Sequence, residues 1–378
     1  MKVPLYRHNL HGADIEEIGE EFKQVLRSMI LTTGPVCLEM QDKLALYLNV
    51  KHCLLTNNWT NATMAVLVAL DIGPGDEVII PAMTFSATAQ VIESVGATPV
   101  LVDIDPLTKL IDIQLAVAAI TEKTKAVMPV HLYGQMVDME ALRNAIPPHI
   151  RILEDAAQVI DGSYDGKQPG AFSDAAMFSF YASKNITTGE GGAMVTNDDA
   201  LLAKFTTIYR HGVDLDGFKR HVASKLEAPD TVSRGLKGNM PDTQALLLRP
   251  QLANINESHA QRKAHAHRYL EELGDLPIEL PYTMPKAEHA WHIFAIGVAA
   301  DKRAGILNEL DARGIRTTIH FKPIHALKYF DTKYGYCPGQ FIHSMDWGNR
   351  TLSLPVFSDL REDEQSYVIE NLRQVLTK

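Results

Sequence analysis

Between residues 52 and 200 the chain repeats one pattern: a short apolar run, a polar loop, an amphipathic stretch, then another apolar run. Runs of strand length fall at 53–55, 77–81, 98–103, 126–129, 151–154, 175–179 and 193–196. Stretches with helical periodicity lie between several of them, at 61–71, 85–95, 112–120 and 138–146. Strands that alternate with helices are joined by crossovers, so the pattern predicts a mainly parallel sheet covered on both faces. Only a loop separates the last two runs, which allows one antiparallel member.

The flanks read differently. Ile15, Ile18, Phe22, Val25 and Leu26 form one helical stripe and residues 38–48 another, with turn chemistry at Leu31-Thr32-Thr33-Gly34-Pro35 between them. Residues 242–275 read as one long helix that Pro250 kinks or ends in its first part. After Leu276-Pro277 come a strand at 292–298, a helix at 302–313, a strand at 316–320 and a helix at 361–376. The expected organisation is a large unit over 1–250 and, over 251–378, a linking helix with a small α+β domain.

Charge and cysteine content remove several classes of function. There are 36 basic and 46 acidic side chains, a formal charge of −10, and no basic stripe for a phosphodiester backbone. Cys37, Cys53 and Cys337 are widely spaced, suit a reducing compartment and form no zinc pattern. Residues 1–9 lack the apolar core of a signal peptide, and no apolar run has membrane-spanning length. The expectation is a soluble cytoplasmic protein that binds neither nucleic acid nor membrane. His259, His265 and His267 lack the i, i+4 spacing that would put two metal ligands on one helical face, so no metal is expected. Gly73-x-Gly75 precedes a strand instead of following one, and the stretch from Pro81 to Ser86 contains no nucleophile elbow.

In an open α/β sheet, ligands bind beyond the carboxyl ends of the strands. Polar clusters stand at those ends: Asn58 to Asn61, Pro81 to Phe85, Glu154 to Gln158, Ser179 to Lys184 and Thr187 to Gly192. Asp155 and Lys184 are the most suggestive pair. A lysine amine that bonds a cofactor aldehyde and a carboxylate that holds a pyridine nitrogen protonated are what pyridoxal phosphate chemistry requires. Position alone suits an ordinary loop ion pair better.

The surrounding residues carry more weight. Ala62-Thr63-Met64, the stretch from Leu67 to Val78, Pro81 to Thr88 and Thr98 to Asp105 resemble the DegT-type sugar-nucleotide aminotransferases. So do Pro129 to Gly134, Glu154 to Gln158, Phe178 to Gly192, Ala290-Trp291-His292 and Leu352 to Pro355. The resemblance covers nearly the whole chain, and Phe178 to Gly192 is its most specific part. It implies the three-layer fold type I of the pyridoxal-phosphate transferases, with a mainly parallel mixed sheet and a smaller C-terminal α+β domain.

Carried over position by position, the resemblance makes Lys184 the lysine that bonds the cofactor and then moves the proton. Asp155 becomes the partner of the pyridine nitrogen, Gln158 a neighbour of the phenolic oxygen, and Phe85 the aromatic stacked on the ring. Thr60, Asn61 and Ser179 match the phosphate site, where helix-start N–H groups also favour an anion. Lys237 matches a residue that reaches the phosphate of the neighbouring subunit, which implies a homodimer with shared active sites. Tyr181, His320 and Lys322 are candidates for substrate contact, although a plain strand end explains His320 and Lys322 equally well. The implied reaction moves an amino group from L-glutamate to a nucleoside-diphosphate keto-sugar, with the ketone at C4. The product would serve surface polysaccharide, lipopolysaccharide O-antigen or secondary-metabolite synthesis. Keto-sugar dehydratases of the same family carry histidine at the lysine position, and a non-catalytic regulator of this fold would lack Lys184 or Asp155; both residues are present. Two departures stand out: Trp59 where many relatives have glycine, and a poorly matched segment from Gly212 to Ser233.

Overall fold

The computed structural model describes residues 1–213, 230–337 and 339–377; most of the poorly matched segment therefore lies outside the described residues. Helices α1 (Gly12–Ser28) and α2 (Pro35–Tyr47) lead into β1 (His52–Thr56), α3 (Trp59–Ala69), β2 (Glu77–Pro81), α4 (Ser86–Ser94) and β3 (Thr98–Val102). Then follow α5 (Ile113–Ala118), β4 (Thr124–Val127), α6 (Met139–Ala145), β5 (Arg151–Asp155) and a two-residue β6 (Ser163–Tyr164). Strands β7 (Ala175–Ser179) and β8 (Gly192–Thr196) and helix α7 (Asp199–Ile208) complete this part.

Seven strands form one sheet in the order β1-β8-β7-β5-β4-β2-β3. Strand β8 runs antiparallel to both of its neighbours and the other pairings are parallel. Successive strand residues feed opposite faces, as the two-residue period requires. Ile79, Ile152, Phe178 and Val195 join Met40, Leu44 and Leu142 in one core. Ile80, Leu153, Met177 and Met194 join Val66, Ile92 and Phe205 in the other. Two cores on one sheet make three layers, with α2, α5 and α6 on one side and α3, α4 and α7 on the other.

A third core gathers Val3, Tyr269, Trp291, Phe294, Leu310, Leu352, Val368 and Leu372. Its strands β10 (Phe294–Gly297) and β11 (Thr351–Leu354) pair antiparallel, while β6 pairs with β9 (Ala287–Glu288). The strand expected at 316–320 does not form. Ile315 bridges to Val3 of the N-terminal segment and Thr318 bridges to Ser353, so the segment contacts two different partners once each and no ladder can propagate. The long helix expected over 242–275 is broken into Asp242–Ala245, Leu248–Ala253 and Ile255–Glu272. Pro250 explains the first break. It has no N–H for the Leu246 carbonyl and its ring would crowd that oxygen, so the chain turns at 246–247, four residues upstream. Helices Lys328–Tyr334 and Ile342–Arg350, like α7, had no counterpart in the sequence reading. Along α1 only Val25 of the apolar stripe is buried, whereas Ile15, Phe22 and Leu26 face outward.

Candidate active site

The site begins where β8 meets the start of α3. Asn58 caps that helix, its side-chain oxygen accepting the Asn61 N–H at 2.7 Å. Gly192 opens β8 so close by that a Cβ would lie 2.7 Å from the backbone nitrogen of Trp59 and 2.8 Å from the Phe178 carbonyl oxygen. Only glycine fits there. Ser179 is the direct partner of Gly192 across the β7–β8 pair, which sets its hydroxyl beside the helix start. Thr60 is exposed and Asn61 half-buried in the first turn. Because Asn58 already satisfies the Asn61 N–H, that turn offers an anion the earlier N–H groups of Trp59 and Thr60. The Trp59 indole is buried in the core on the α3 face of the sheet. Lys237 lies alongside: its carbonyl accepts from the Asn61 side chain at 3.4 Å and from that of Asn57 at 3.5 Å. Its own side chain is exposed and in no ion pair among the described residues.

Asp155 ends β5, and its neighbour across the β5–β7 pair is Met177, two residues before Ser179. The segment after β4 fixes one side of this strand end, with the Asp155 N–H donating to Pro129 and the His131 N–H donating to the Asp155 carbonyl, and the Ala156 N–H donates to Met177 on the other side. Buried Glu154 accepts from the His131 ring at 2.7 Å and from the Gly170 N–H at 2.8 Å, which stiffens the same strand end. Asp155 is 5 % exposed. One of its carboxylate oxygens takes the Ala157 N–H at 3.2 Å and the other the Thr88 hydroxyl at 3.0 Å. Burial pushes its pKa up; those two hydrogen bonds and the charges of Lys184 and His131 oppose the rise. Among the described residues no cation lies within ion-pair distance of it.

Lys184 is in the loop after β7. Burial pulls its amine down to about 8, against the opposing attraction of Asp155. Gln158 is buried and accepts the Tyr133 N–H at 2.6 Å. Phe85, at the N-cap of α4, keeps 58 % of its surface exposed, and its ring contacts that of Phe321 at 5.8 Å between centroids.

Beyond Lys184 a cavity of about 280 Å³ opens between the N-terminal segment, the β7–β8 loop and the third core. Tyr181, Lys184, His292, His320 and Ser353 line it, together with Arg7 and Arg262. Asp155, Phe85, Gln158 and Lys322 are not in its wall, so Lys184 stands between the strand-end cluster and this cavity. Both arginines are already paired, Arg7 with Glu364 at 2.9 Å and Arg262 with fully buried Asp161. His292 bonds Asn185 at 3.0 Å and His320 bonds Ser353 at 2.8 Å. Burial and the nearby Lys184 hold His292 well below the usual histidine range and His320 at about 4, so both rings are neutral at pH 7. Lys322 is exposed, two residues past His320. Sequence reasoning named no role for His292 or Thr88, although both sit inside stretches it quoted; a lone histidine or threonine carries no spacing signal.

These residues fit pyridoxal 5'-phosphate. A buried carboxylate without a cationic partner suits a protonated ring nitrogen, an exposed flat aromatic suits a ring face, and a helix start beside a hydroxyl suits a phosphate. An amine held near neutrality suits a carbonyl. Such a set on this sheet defines a fold type I pyridoxal-phosphate enzyme.

Comparison with known proteins narrows the class. The profile of the DegT/DnrJ/EryC1/StrS aminotransferase family matches residues 13–373. The spore coat polysaccharide biosynthesis protein SpsC of Bacillus subtilis is 36% identical over 369 residues, which is 96% of this chain and 94% of that protein. A putative sugar aminotransferase from Streptococcus pneumoniae, solved in its PMP form, superposes with a TM-score of 0.93 at 30% identity, covering 100% of this chain and 99% of that one. DesV of S. venezuelae does so with a TM-score of 0.90 at 32% identity, covering 100% and 99%. The chain belongs to the DegT/DnrJ/EryC1/StrS aminotransferase family, and it is a pyridoxal-phosphate-dependent sugar aminotransferase. No helix among the described residues is long and apolar enough to cross a membrane, and no group of three or more His, Cys, Asp or Glu side chains is placed to hold a metal.

Proposed function

We propose that the enzyme moves an amino group from L-glutamate to C4 of a nucleoside-diphosphate-linked 4-keto-sugar. The observation that carries the reading is the placement of half-buried Lys184, in the loop after β7, near buried Asp155 at the end of the neighbouring β5, with the lysine amine drawn down to about 8. Bound cofactor supplies an electron-accepting ring next to the carbon that gains or loses the amine. Lys184 holds the cofactor and, once released, takes and returns the proton in each half-reaction. Asp155 keeps the ring nitrogen protonated, Phe85 packs on the ring, and Gln158 approaches its phenolic oxygen. The N–H groups of Trp59 and Thr60 and the Ser179 hydroxyl hold the phosphate, and Asn61 completes that turn through its bond to Asn58. Tyr181 and His320 face the substrate from the cavity wall, and exposed Lys322 meets the diphosphate at the mouth. Similarity to a protein of spore coat polysaccharide biosynthesis supports a surface polysaccharide as the destination of the amino sugar. The reading keeps residues 1–250 as the cofactor-binding unit and 251–378 as the unit that covers it. Three free cysteines, two of them buried, suit the cytoplasm.

A panel of nucleotide-linked keto-sugars with glutamate, products identified by mass and NMR, tests the reaction. A 4-amino product with 2-oxoglutarate supports it; amination at C3, or dehydration in place of amination, overturns it.

The same reading makes the working unit a homodimer in which Lys237 crosses to the neighbour's phosphate. Its support is the exposed Lys237 cation, in no ion pair among the described residues, together with the outward apolar face of α1, continued by Met29, Ile30 and Leu31. Complementation tests it. Lys184→Ala and Lys237→Ala chains, mixed, place both lesions in one site and leave the other whole, so activity should exceed that of either parent. No rescue despite subunit exchange would return Lys237 to its own chain.

A further inference from the structure

The carboxylate of Asp155 is held by something the reaction as described does not use. The Thr88 hydroxyl donates to it at 3.0 Å, and the Thr84 hydroxyl lies 2.9 Å from that of Thr88. Each threonine is only 1 % exposed, so no bulk water competes. The direction of this chain is fixed by counting protons. An ionised carboxylate only accepts and a hydroxyl has one proton, so Thr88 donates to Asp155 and the proton between the threonines belongs to Thr84. Thr88 sits in the first turn of α4, where a threonine ordinarily bonds its own backbone; here it turns to the strand end instead. Hydrogen bonds polarise one another, so the Thr84 contact strengthens the one Thr88 makes.

We propose that Thr88, backed by Thr84, is a positioning residue for Asp155: its hydroxyl fixes the carboxylate and keeps it anionic opposite the cofactor's ring nitrogen. The need is physical. Desolvation favours the neutral acid, and a neutral acid cannot hold a cationic ring. Ala157 supplies one compensating bond and Thr88 the other. The remaining titratable groups that face Asp155 are Lys184, which the cofactor consumes as a free amine, and His131, whose ring is bound to Glu154. With the cofactor in place, the threonine pair and the Ala157 N–H are therefore the protein groups that hold the carboxylate from the side away from the ring nitrogen. The inference rests on Asp155 being the partner of the ring nitrogen.

The experiment compares Thr88→Val, Thr88→Ser, Thr84→Val and Asp155→Asn holoenzymes. The readouts are cofactor dissociation constant, the visible absorbance of bound cofactor against pH, and melting temperature. Thr88→Val should weaken cofactor binding by about tenfold to a hundredfold, the range of one charge-assisted hydrogen bond. It should also move the pH midpoint of the absorbance change. Thr88→Ser should restore both, and Thr84→Val should shift both in the same direction by less. In an Asp155→Asn background Thr88→Val should change the absorbance midpoint by almost nothing, because the charge that the hydroxyl supports is gone. An Asp155→Asn spectrum unlike wild type with a Thr88→Val spectrum matching wild type would overturn the threonine proposal alone. Asp155→Asn without spectral effect would instead remove the underlying assignment. If Thr88→Val fails to fold, Thr84→Val decides: an unchanged spectrum and affinity count against the relay.

Discussion

The strand-end cluster and the cavity beyond Lys184 are built in different ways. Asp155, Ser179 and the start of α3 are held by sheet register: Asp155 faces Met177, Ser179 faces Gly192, and Gly192 abuts Trp59. The cavity wall draws instead on the N-terminal segment, on residues 292–293 and 318–320, and on the end of β11, which meet through side-chain packing and single contacts such as the Thr318–Ser353 bridge, outside the seven-stranded sheet. The first region is rigid because neighbouring strands fix it within a residue. The second is assembled from distant pieces, its arginines are already paired, and its histidines are neutral. Chemistry common to many substrates fits the rigid part, and selection among substrates fits the assembled part.

Lys184→Ala should break this division most severely. Turnover should fall at least about 10⁴-fold, because general acid–base action and cofactor attachment are lost together. The fold should survive, with a melting curve close to wild type. A variant with a tenth of normal turnover would show that chemistry does not depend on the strand-end cluster. Next in size is Arg262→Met. It leaves Asp161 buried without its partner, and a loss of roughly 3–5 kcal/mol of stability is expected. Denaturant unfolding measures it. A loss below about 1 kcal/mol would mean that the pair does not hold the cavity wall.

How much was legible follows the same line. Asp155 and Lys184 could be placed from sequence because apolar runs of strand length end just before the polar stretches that hold them, and a parallel sheet presents such ends on one side. Strand β2 was read with the bounds the structure shows. His292 and Thr88 could not be assigned roles, since each acquires one only through a partner 107 or 67 residues away. The segment at 316–320 was misread as a strand because alternation signals extended backbone but not whether a partner strand lies beside it. The α1 stripe was read as a helix correctly, yet periodicity does not say what covers the apolar face; Ile15, Phe22 and Leu26 are left outside by this chain.

Two smaller effects sharpen the comparison. The rate at which apoenzyme takes up cofactor should rise with pH and level off above a midpoint of about 8, because only the neutral Lys184 amine attacks the aldehyde. The sign is fixed: burial lowers the amine's pKa, so the reactive form dominates above that midpoint and falls about tenfold per unit below it. A rate still climbing at pH 10 would mean an exposed lysine. Smallest of all, Lys322→Ala should raise KM for the nucleotide sugar only about two- to fivefold, leave kcat unchanged, and lose its effect in high salt, as an exposed cation should. A change in kcat would move Lys322 into the chemistry.

The central claim is that Lys184 is the residue at which cofactor and substrate meet. Borohydride reduction of the holoenzyme fixes the cofactor to whichever lysine holds it, and peptide mass mapping then locates it. The account predicts a pyridoxyl group on the peptide containing Lys184, and none on that peptide in Lys184→Ala. A label on Lys237, Lys322 or any other lysine would contradict it.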